Sequence, residues 1–294
     1  MSKKIKNTNT QNPLSAYFRA PKLFTRIPSG GKFYSEGVVE MKDDTSMELA
    51  IYPMTTKDEL LLKNPDALLN GEAVASLIQS CVPEVKNARE LYSADVDALL
   101  IAIRGASGGD DVDVAGTCPK CETVSDITVS VASSLQSMEE VMDLYQITLA
   151  NGLVISGMPF SYKNTIKAGV ASFQSTRSMQ SISTLTDDME RLKAFNESFV
   201  KLADLNFELL IDAIYSVVYL DEEGDEVTID DKGIIREFLE NTDNATGKEI
   251  EEFINGINAK GVNTEVEIEC TNEECDNTYQ SSINFDPVNF FTGS

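Results

Sequence analysis

The sequence predicts an α+β chain: a two-knuckle, four-cysteine zinc ribbon, an N-terminal α/β segment and a mostly helical insertion between the knuckles. Three observations carry this prediction. Two cysteine pairs, Cys118-Pro-Lys-Cys121 and Cys270-Thr-Asn-Glu-Glu-Cys275, each stand between strand-like stretches. Apolar residues recur at helical spacing within the 148 residues that separate the pairs. Ahead of the first pair, a loop punctuated by proline and glycine and a short alternating strand lead into two amphipathic helices.

Taken in order, residues 1–16 are polar, basic and without periodicity, and read as a flexible arm. Residues 17–135 form the N-terminal α+β region with the first knuckle. Arg26-Ile-Pro-Ser-Gly-Gly-Lys-Phe-Tyr34 is a loop in which Gly30 and Gly31 permit positive φ. It lacks the glycine, lysine and Ser/Thr spacing of a phosphate-binding loop. Met47–Tyr52 alternates as a strand. Thr56-Lys-Asp-Glu59 reads as a capping box, and Asn64-Pro65 as its stop. Val74, Leu77, Ile78 and Cys81 fall on one helical face, which makes Cys81 a buried small hydrophobe. Ser93 reads as an N-cap for a helix burying Val96, Leu99, Leu100 and Ile103. Asp95 sits in its first turn and Arg104 in its last, and Gly105, Gly108 and Gly109 end it.

Residues 136–260 form the insertion. Leu149–Phe160 is strand-like, with turns at Asn151-Gly152 and Met158-Pro159, and a polar helical stretch follows. A long helix from near Asp187 carries Leu192, Phe195, Phe199, Leu202, Leu209, Ile214 and Val217. Asp221–Asp225 reads as a solvated turn between two strands, since it lacks the alternating ligands and final glutamate of a calcium loop. Thr246-Gly-Lys-Glu249 reads as a capping box for a helix with Ile250, Phe253, Ile254 and Ile257 inward, closed by Gly261. Residues 261–294 bring the second knuckle and a tail that packs back on the first.

A thiolate pair spaced by two to four residues grips one side of a tetrahedral metal, and two such pairs close the site. Cys118, Cys121, Cys270 and Cys275 therefore predict one structural zinc per chain, with no position left for water or substrate. Four thiolates also suit iron. A redox role for Cys-Pro-Lys-Cys is weakened because no helix is predicted to begin at Cys118. The fifth cysteine, Cys81, leaves an odd count, which with a reducing compartment favours metal over disulfides.

Charge narrows the function. The 294 residues carry a net charge of −24, yet residues 1–32 hold seven lysines and arginines and no acid, leaving −31 on the remainder. Such a body repels nucleic acid, whose recognition rests on neutralising phosphates, and the basic head suits an acidic protein surface instead. The chain has no histidine, which removes the Ser-His-Asp and Cys-His classes and the commonest general base near neutral pH. No stretch approaches the ~18 apolar residues of a membrane helix, and no apolar run follows the basic N-terminus as in a secretory signal. The expectation is a cytoplasmic protein, or part of an assembly built there, without catalytic residues, membrane, nucleic acid or small-molecule substrate.

The order of Arg26–Tyr34, Tyr52-Pro-Met-Thr-Thr-Lys-Asp-Glu59, the Cys81 helix, Asp97–Arg104 before Cys-Pro-Lys-Cys, and Phe285-Asp-Pro-Val-Asn-Phe-Phe291 resembles the baseplate hub subunit family of T-even-type contractile-tailed bacteriophages. The resemblance is closest over residues 20–135 and 250–291 and looser over 140–245. It implies a non-enzymatic protein that builds the central hub of the tail baseplate, with other phage baseplate or hub proteins as partners. Its place would be the host cytoplasm during assembly and the virion tail if retained; a transient hub-assembly chaperone is the alternative. The four residues inside the second knuckle, rather than two, depart from the family pattern. Phe285, Phe290 and Phe291 either pack under the ribbon or anchor an interface.

Overall fold

The computed structural model describes residues 12, 14–32, 34–40, 48–138, 145–183, 187–259, 265–272 and 274–282. Residues 1–11 of the arm, Met47, Gly261 and Phe285–Phe291 lie outside these. Among the described residues, no helix is long and apolar enough to cross a membrane.

The first layer is built on two short antiparallel strands, β1 (Leu23–Thr25) and β2 (Leu49–Ile51), covered by helices. Helix α1 (Thr56–Leu62) has its capping box one residue earlier than the sequence suggested: Thr55 accepts from Asp58 N, and Asp58 accepts from Thr55 N at 2.7 Å. Asp58 wins over Glu59 because its carboxylate is also held by Ser80 (3.2 Å) and Arg19 (3.6 Å). Asn64 ends α1 and caps α2 (Pro65–Leu69), whose first residue is the proline. Helix α3 (Glu72–Cys81) follows, its inner face closed by Val74, Leu77, Ile78 and Cys81, as its periodicity requires. Gly71, ahead of α3, has φ +72°, and a Cβ there would clash with the Ile166 side chain.

Helix α4 (Ser93–Gly108) is the spine of this core. Ser93 is its first helical residue rather than its cap; its N–H donates to Phe160 O (3.1 Å) and its hydroxyl lies 2.6 Å from Thr165 Oγ1. Gly105 does not end the helix. It lies inside it, against Val131, and the break comes at Gly109 with φ +100°. Arg104 is thus a full turn from the end. A glycine costs a helix about 1 kcal/mol relative to alanine, and here it makes room for the Val131 side chain.

On the same helix, Asp97 is largely buried, and burial raises its pKa from 3.8 to about 7. The folded state then holds this proton more tightly than the unfolded chain, so stability falls as pH rises through the window from about 4 to 7 and levels above it. Asp97→Asn should abolish this component. Between pH 5 and 8 the wild type is expected to lose roughly 2–3 kcal/mol more than the variant, read as denaturation midpoints; equal losses would exclude Asp97 as the source.

Strands β3 (Asp111–Thr117) and β4 (Val124–Ser130) form the first hairpin, and α5 (Val131–Gln136) turns back onto α4. The segment that follows is mostly helical and contains more than helices. It holds a four-stranded antiparallel sheet in the order β5 (Tyr145–Thr148), β6 (Val154–Gly157), β7 (Ile214–Leu220), β8 (Glu226–Ile229). Between β6 and β7 run two long helices, α6 (Tyr162–Ser183) and α7 (Asp188–Ala213), the second capped by Asp187. Ile214 and Val217, expected on α7, belong to β7: the run Ile-Tyr-Ser-Val-Val-Tyr-Leu is rich in β-branched and aromatic residues, which a pleated sheet accommodates better. Lys232 marks the change, its Nζ donating to the carbonyls of Ile211 (3.1 Å), Asp212 (3.3 Å) and Ile214 where α7 stops.

The β7–β8 turn is the solvated one expected. Asp221 accepts from the N–H groups of Glu223 and Asp225, both at 2.9 Å, so this carboxylate is turned to its own backbone. Helices α8 (Lys232–Asn241) and α9 (Asn244–Asn258) close the sheet, with Ile235, Leu239, Ile250, Ile254 and Ile257 in its core. Asp243 caps α9, accepting from Ala245 N and Thr246 N, which places Thr246 inside the first turn instead of at its start. The last strands, β9 (Glu265–Glu269) and β10 (Thr278–Ser282), pair as a second hairpin.

Candidate metal centre

The two β-hairpins carry the cysteines at their turns. In the first, Cys118 N–H donates to Thr123 O and Glu122 N–H donates to Cys118 O, both at 2.9 Å. In the second, Cys270 N–H donates to Asn277 O and Cys275 N–H donates to Asn272 O, again at 2.9 Å. Each turn passes through a non-glycine residue with positive φ directly after its second cysteine: Glu122 at +60° and Asp276 at +44°. A left-handed residue costs roughly 1–2 kcal/mol. Sequence reading missed this feature, because neither Glu nor Asp announces it as a glycine would.

The hairpins are stitched to each other. Ser125 and Thr271 hydroxyls lie 3.2 Å apart, and Thr271 N–H donates to Ser125 Oγ at 3.1 Å. The Tyr279 hydroxyl donates to Gly116 O at 2.9 Å, and Lys120 Nζ donates to Cys275 O at 3.1 Å. Ile268 and Tyr279 are buried beside the sulfurs.

All four sulfurs lie within 4.8 Å of one another. The close approaches cross between hairpins: Cys118 to Cys275 at 3.8 Å and Cys121 to Cys270 at 3.5 Å. Both are far longer than the ~2.05 Å of a disulfide. Four bonds of ~2.3 Å to a tetrahedral centre would space sulfurs about 3.8 Å apart, so the donor set fits a four-thiolate ion. The longer second turn still delivers Cys275 to the cluster.

Electrostatics around the sulfurs is uneven. The Thr123 hydroxyl, 3.3 Å from Cys121 Sγ, and the Thr123 backbone bring the Cys121 thiol down to about 6. Burial works against Cys118, but the Lys120 backbone and the Asn277 amide, 3.4 Å away, outweigh it and lower its pKa. Burial and the neighbouring sulfurs push Cys275 up to about 12. A cation centred among the sulfurs would supply the charge that lets all four ionise. Among the described residues, no carboxylate joins this group.

The other sequence candidates resolve differently. Cys81 is fully buried on α3, where burial and then Asp58 push its thiol up to about 11. The Arg26–Tyr34 loop takes its turn through Gly30 and Gly31, at φ +62° and +74°. Three of its donors meet a carboxylate of the chain itself: Ser29 N–H (2.9 Å) and the Ser29 hydroxyl donate to Asp95, as does the Tyr34 hydroxyl (2.5 Å). The Tyr34 oxygen in turn accepts from Tyr92 N–H at 2.8 Å. Asp95 is fully buried. Its place in the first turn of α4 suggested only a dipole role, and nothing local predicted that it would anchor a loop 61–66 residues away.

Compared with known proteins, residues 21–292 match the family described as T4 bacteriophage base plate protein. No curated protein and no solved structure matches the chain.

Proposed function

The chain belongs to the T4 bacteriophage base plate protein family, and on that premise we propose that it is a non-enzymatic structural component of the hub of a contractile-tail baseplate, tied together by one structural zinc at Cys118, Cys121, Cys270 and Cys275. The family match carries the baseplate role. The zinc reading rests on the four sulfurs brought within 4.8 Å from cysteine pairs separated by 148 residues. When bound, the ion would supply cross-linking and no chemistry, since all four positions are filled by protein.

In this reading the partners are other baseplate or hub proteins, met during assembly in the host cytoplasm and kept in the virion tail. Nucleic acid, membrane and small-molecule substrate have no part in it. The division at residues 135/136 and 260/261 belongs to the same proposal. It is supported by one hydrophobic cluster drawn from residues 27–106 and a second drawn, apart from Ala94, from 145–257.

Two measurements test it. Elemental mass spectrometry with thiol counting should find one zinc per chain, few reactive thiols in the folded protein, where Cys81 is buried, and five after denaturation with a chelator. Iron in its place would change the ion and keep the clamp; no metal with five free thiols would remove it. Mass spectrometry of purified virions should find the chain in intact tails. Its absence there would convert the structural component into a transient assembly chaperone.

A further inference from the structure

Each cysteine pair holds one buried sulfur and one within reach of solvent. Cys118 and Cys275 are buried, whereas Cys121 and Cys270 are partly exposed. Exposure and contact coincide across the hairpins. The two accessible sulfurs meet at 3.5 Å, and the two buried ones at 3.8 Å. Ile268, Tyr279 and the Asn277 amide, which donates to Cys118 Sγ, cover the buried pair further. Cys81 is fully buried in the helical body, away from this group. A dissolved oxidant therefore reaches Cys121 or Cys270 first, and finds an exposed sulfur of the other hairpin already in contact with it.

Bonds that do not involve an ion keep this register. Ser125 with Thr271, and Tyr279 with Gly116, tie the hairpins together beside the sulfurs. Closing the accessible pair to the ~2.05 Å of a disulfide then takes a shift of about 1.5 Å. Closure within a pair would instead have to join an exposed sulfur to a buried one.

We propose that the four-thiolate centre is an oxidation site for hydrogen peroxide, at which Cys121 joins Cys270 and Cys118 joins Cys275, so that two covalent links between the hairpins take over from the ion. Release of an ion rests on the zinc reading above; the pairing rests on the sulfur positions alone. In the first step an exposed thiolate attacks the peroxide. An S–O bond forms, the O–O bond breaks, and the departing hydroxide takes up a proton to become water. The second exposed thiolate attacks that sulfur, forming the S–S bond and expelling the remaining hydroxide, which is protonated in turn. Two electrons have passed from sulfur to oxygen. A second peroxide does the same at the buried pair, which frees the ion by removing its last ligands. In total, four thiolates, two peroxides and four protons give two disulfides, four waters and one free ion. A thiolate clamp suits the reducing cytoplasm of assembly, and disulfides suit the medium that a virion tail enters.

The test treats the full-length, metal-loaded protein with hydrogen peroxide, blocks free thiols and maps the linked peptides. Trypsin cuts between Cys118 and Cys121 at Lys120, and a glutamate-specific protease cuts between Cys270 and Cys275 at Glu274. With one equivalent of peroxide, Cys121–Cys270 should be the main link. With two, Cys118–Cys275 should join it, the zinc should be lost completely, and one thiol, Cys81, should remain on denaturation. Links within either pair as the main product would overturn the proposal. So would four thiols that survive excess peroxide, or oxidation that runs to sulfinic acid without a disulfide. Zinc measured before oxidation reads the metal assignment separately: a metal-free protein that still forms both cross-hairpin links would remove the zinc reading and keep the pairing.

Discussion

Cys118→Ser and Cys270→Ser, made separately, are expected to lose the bound metal and to melt the two hairpins while leaving the helical body folded. The reason lies in how the cores are built. Among the described residues, the buried members of the cluster beside the sulfurs are Cys118, Ile268, Cys275 and Tyr279, two of them proposed ligands, and a two-stranded hairpin is marginal without a further tie. The two larger cores include none of the four cysteines. Structural zinc contributes on the order of 10 kcal/mol in small metal-folded domains, so removing one ligand should take away most of what orders this unit. The measurement is hydrogen exchange: amides of residues 111–130 and 265–282 should lose protection by about 10³-fold or more, equivalent to roughly 4 kcal/mol, with little change in the sheet from Tyr145 to Ile229. A strong chelator should reproduce the pattern in the wild type. If both variants keep one metal ion per chain, the assignment of these ligands is wrong. Cys81→Ser serves as the control, since it should retain the metal.

The second large effect is expected at Asp95. Its carboxylate receives three donors from the Arg26–Tyr34 loop, all in a fully buried site. Asp95→Ala would leave the Ser29 N–H and both hydroxyls without that acceptor, and breaking such a buried group typically costs about 3–5 kcal/mol. Asp95→Asn should cost less, because its amide keeps one acceptor and the hydroxyls can rotate to accept from its NH₂. Denaturant midpoints measure both. The chain has no tryptophan, so its nine tyrosines dominate the emission, and Tyr34→Phe gives the share that comes from this site. Tyr34 and Tyr92, ring centroids 5.0 Å apart, should change environment together in the Ala variant. A loss below about 1 kcal/mol would show that the loop is held elsewhere.

Features with a strong local signature were legible in the sequence. The cysteine pairs, the Gly30-Gly31 turn, the buried faces of α3 and α4 and the Asp221–Asp225 hairpin each depend on spacing within one short window, and each stands where that spacing put it. Helix starts were displaced by one to three residues where two capping residues compete, as Thr55 with Thr56 and Asp243 with Thr246; tertiary bonds, such as Arg19 and Ser80 on Asp58, decide between them. The start of β7 was misread because Ile214 and Val217 also fit a helical period, and only pairing with β6 and β8 distinguishes the two. For the candidate site, the gathering of the four cysteines was legible and its surroundings were not. The contacts of Thr123, Asn277, Ser125 and Tyr279 join segments about 150 residues apart or depend on one local rotamer, and no periodicity records either.

The crossing of the short sulfur contacts has a mechanical consequence. Cys118 meets Cys275, and Cys121 meets Cys270, so with an ion at the centre the chain becomes a closed ring from one hairpin to the other. A pull applied ahead of residue 118 and beyond residue 275 would pass through the metal–sulfur bonds and short-circuit the intervening chain. The four-stranded sheet and its long helical hairpin would then hang from the line of force as a pendant, free of tension while the assembly around them strains.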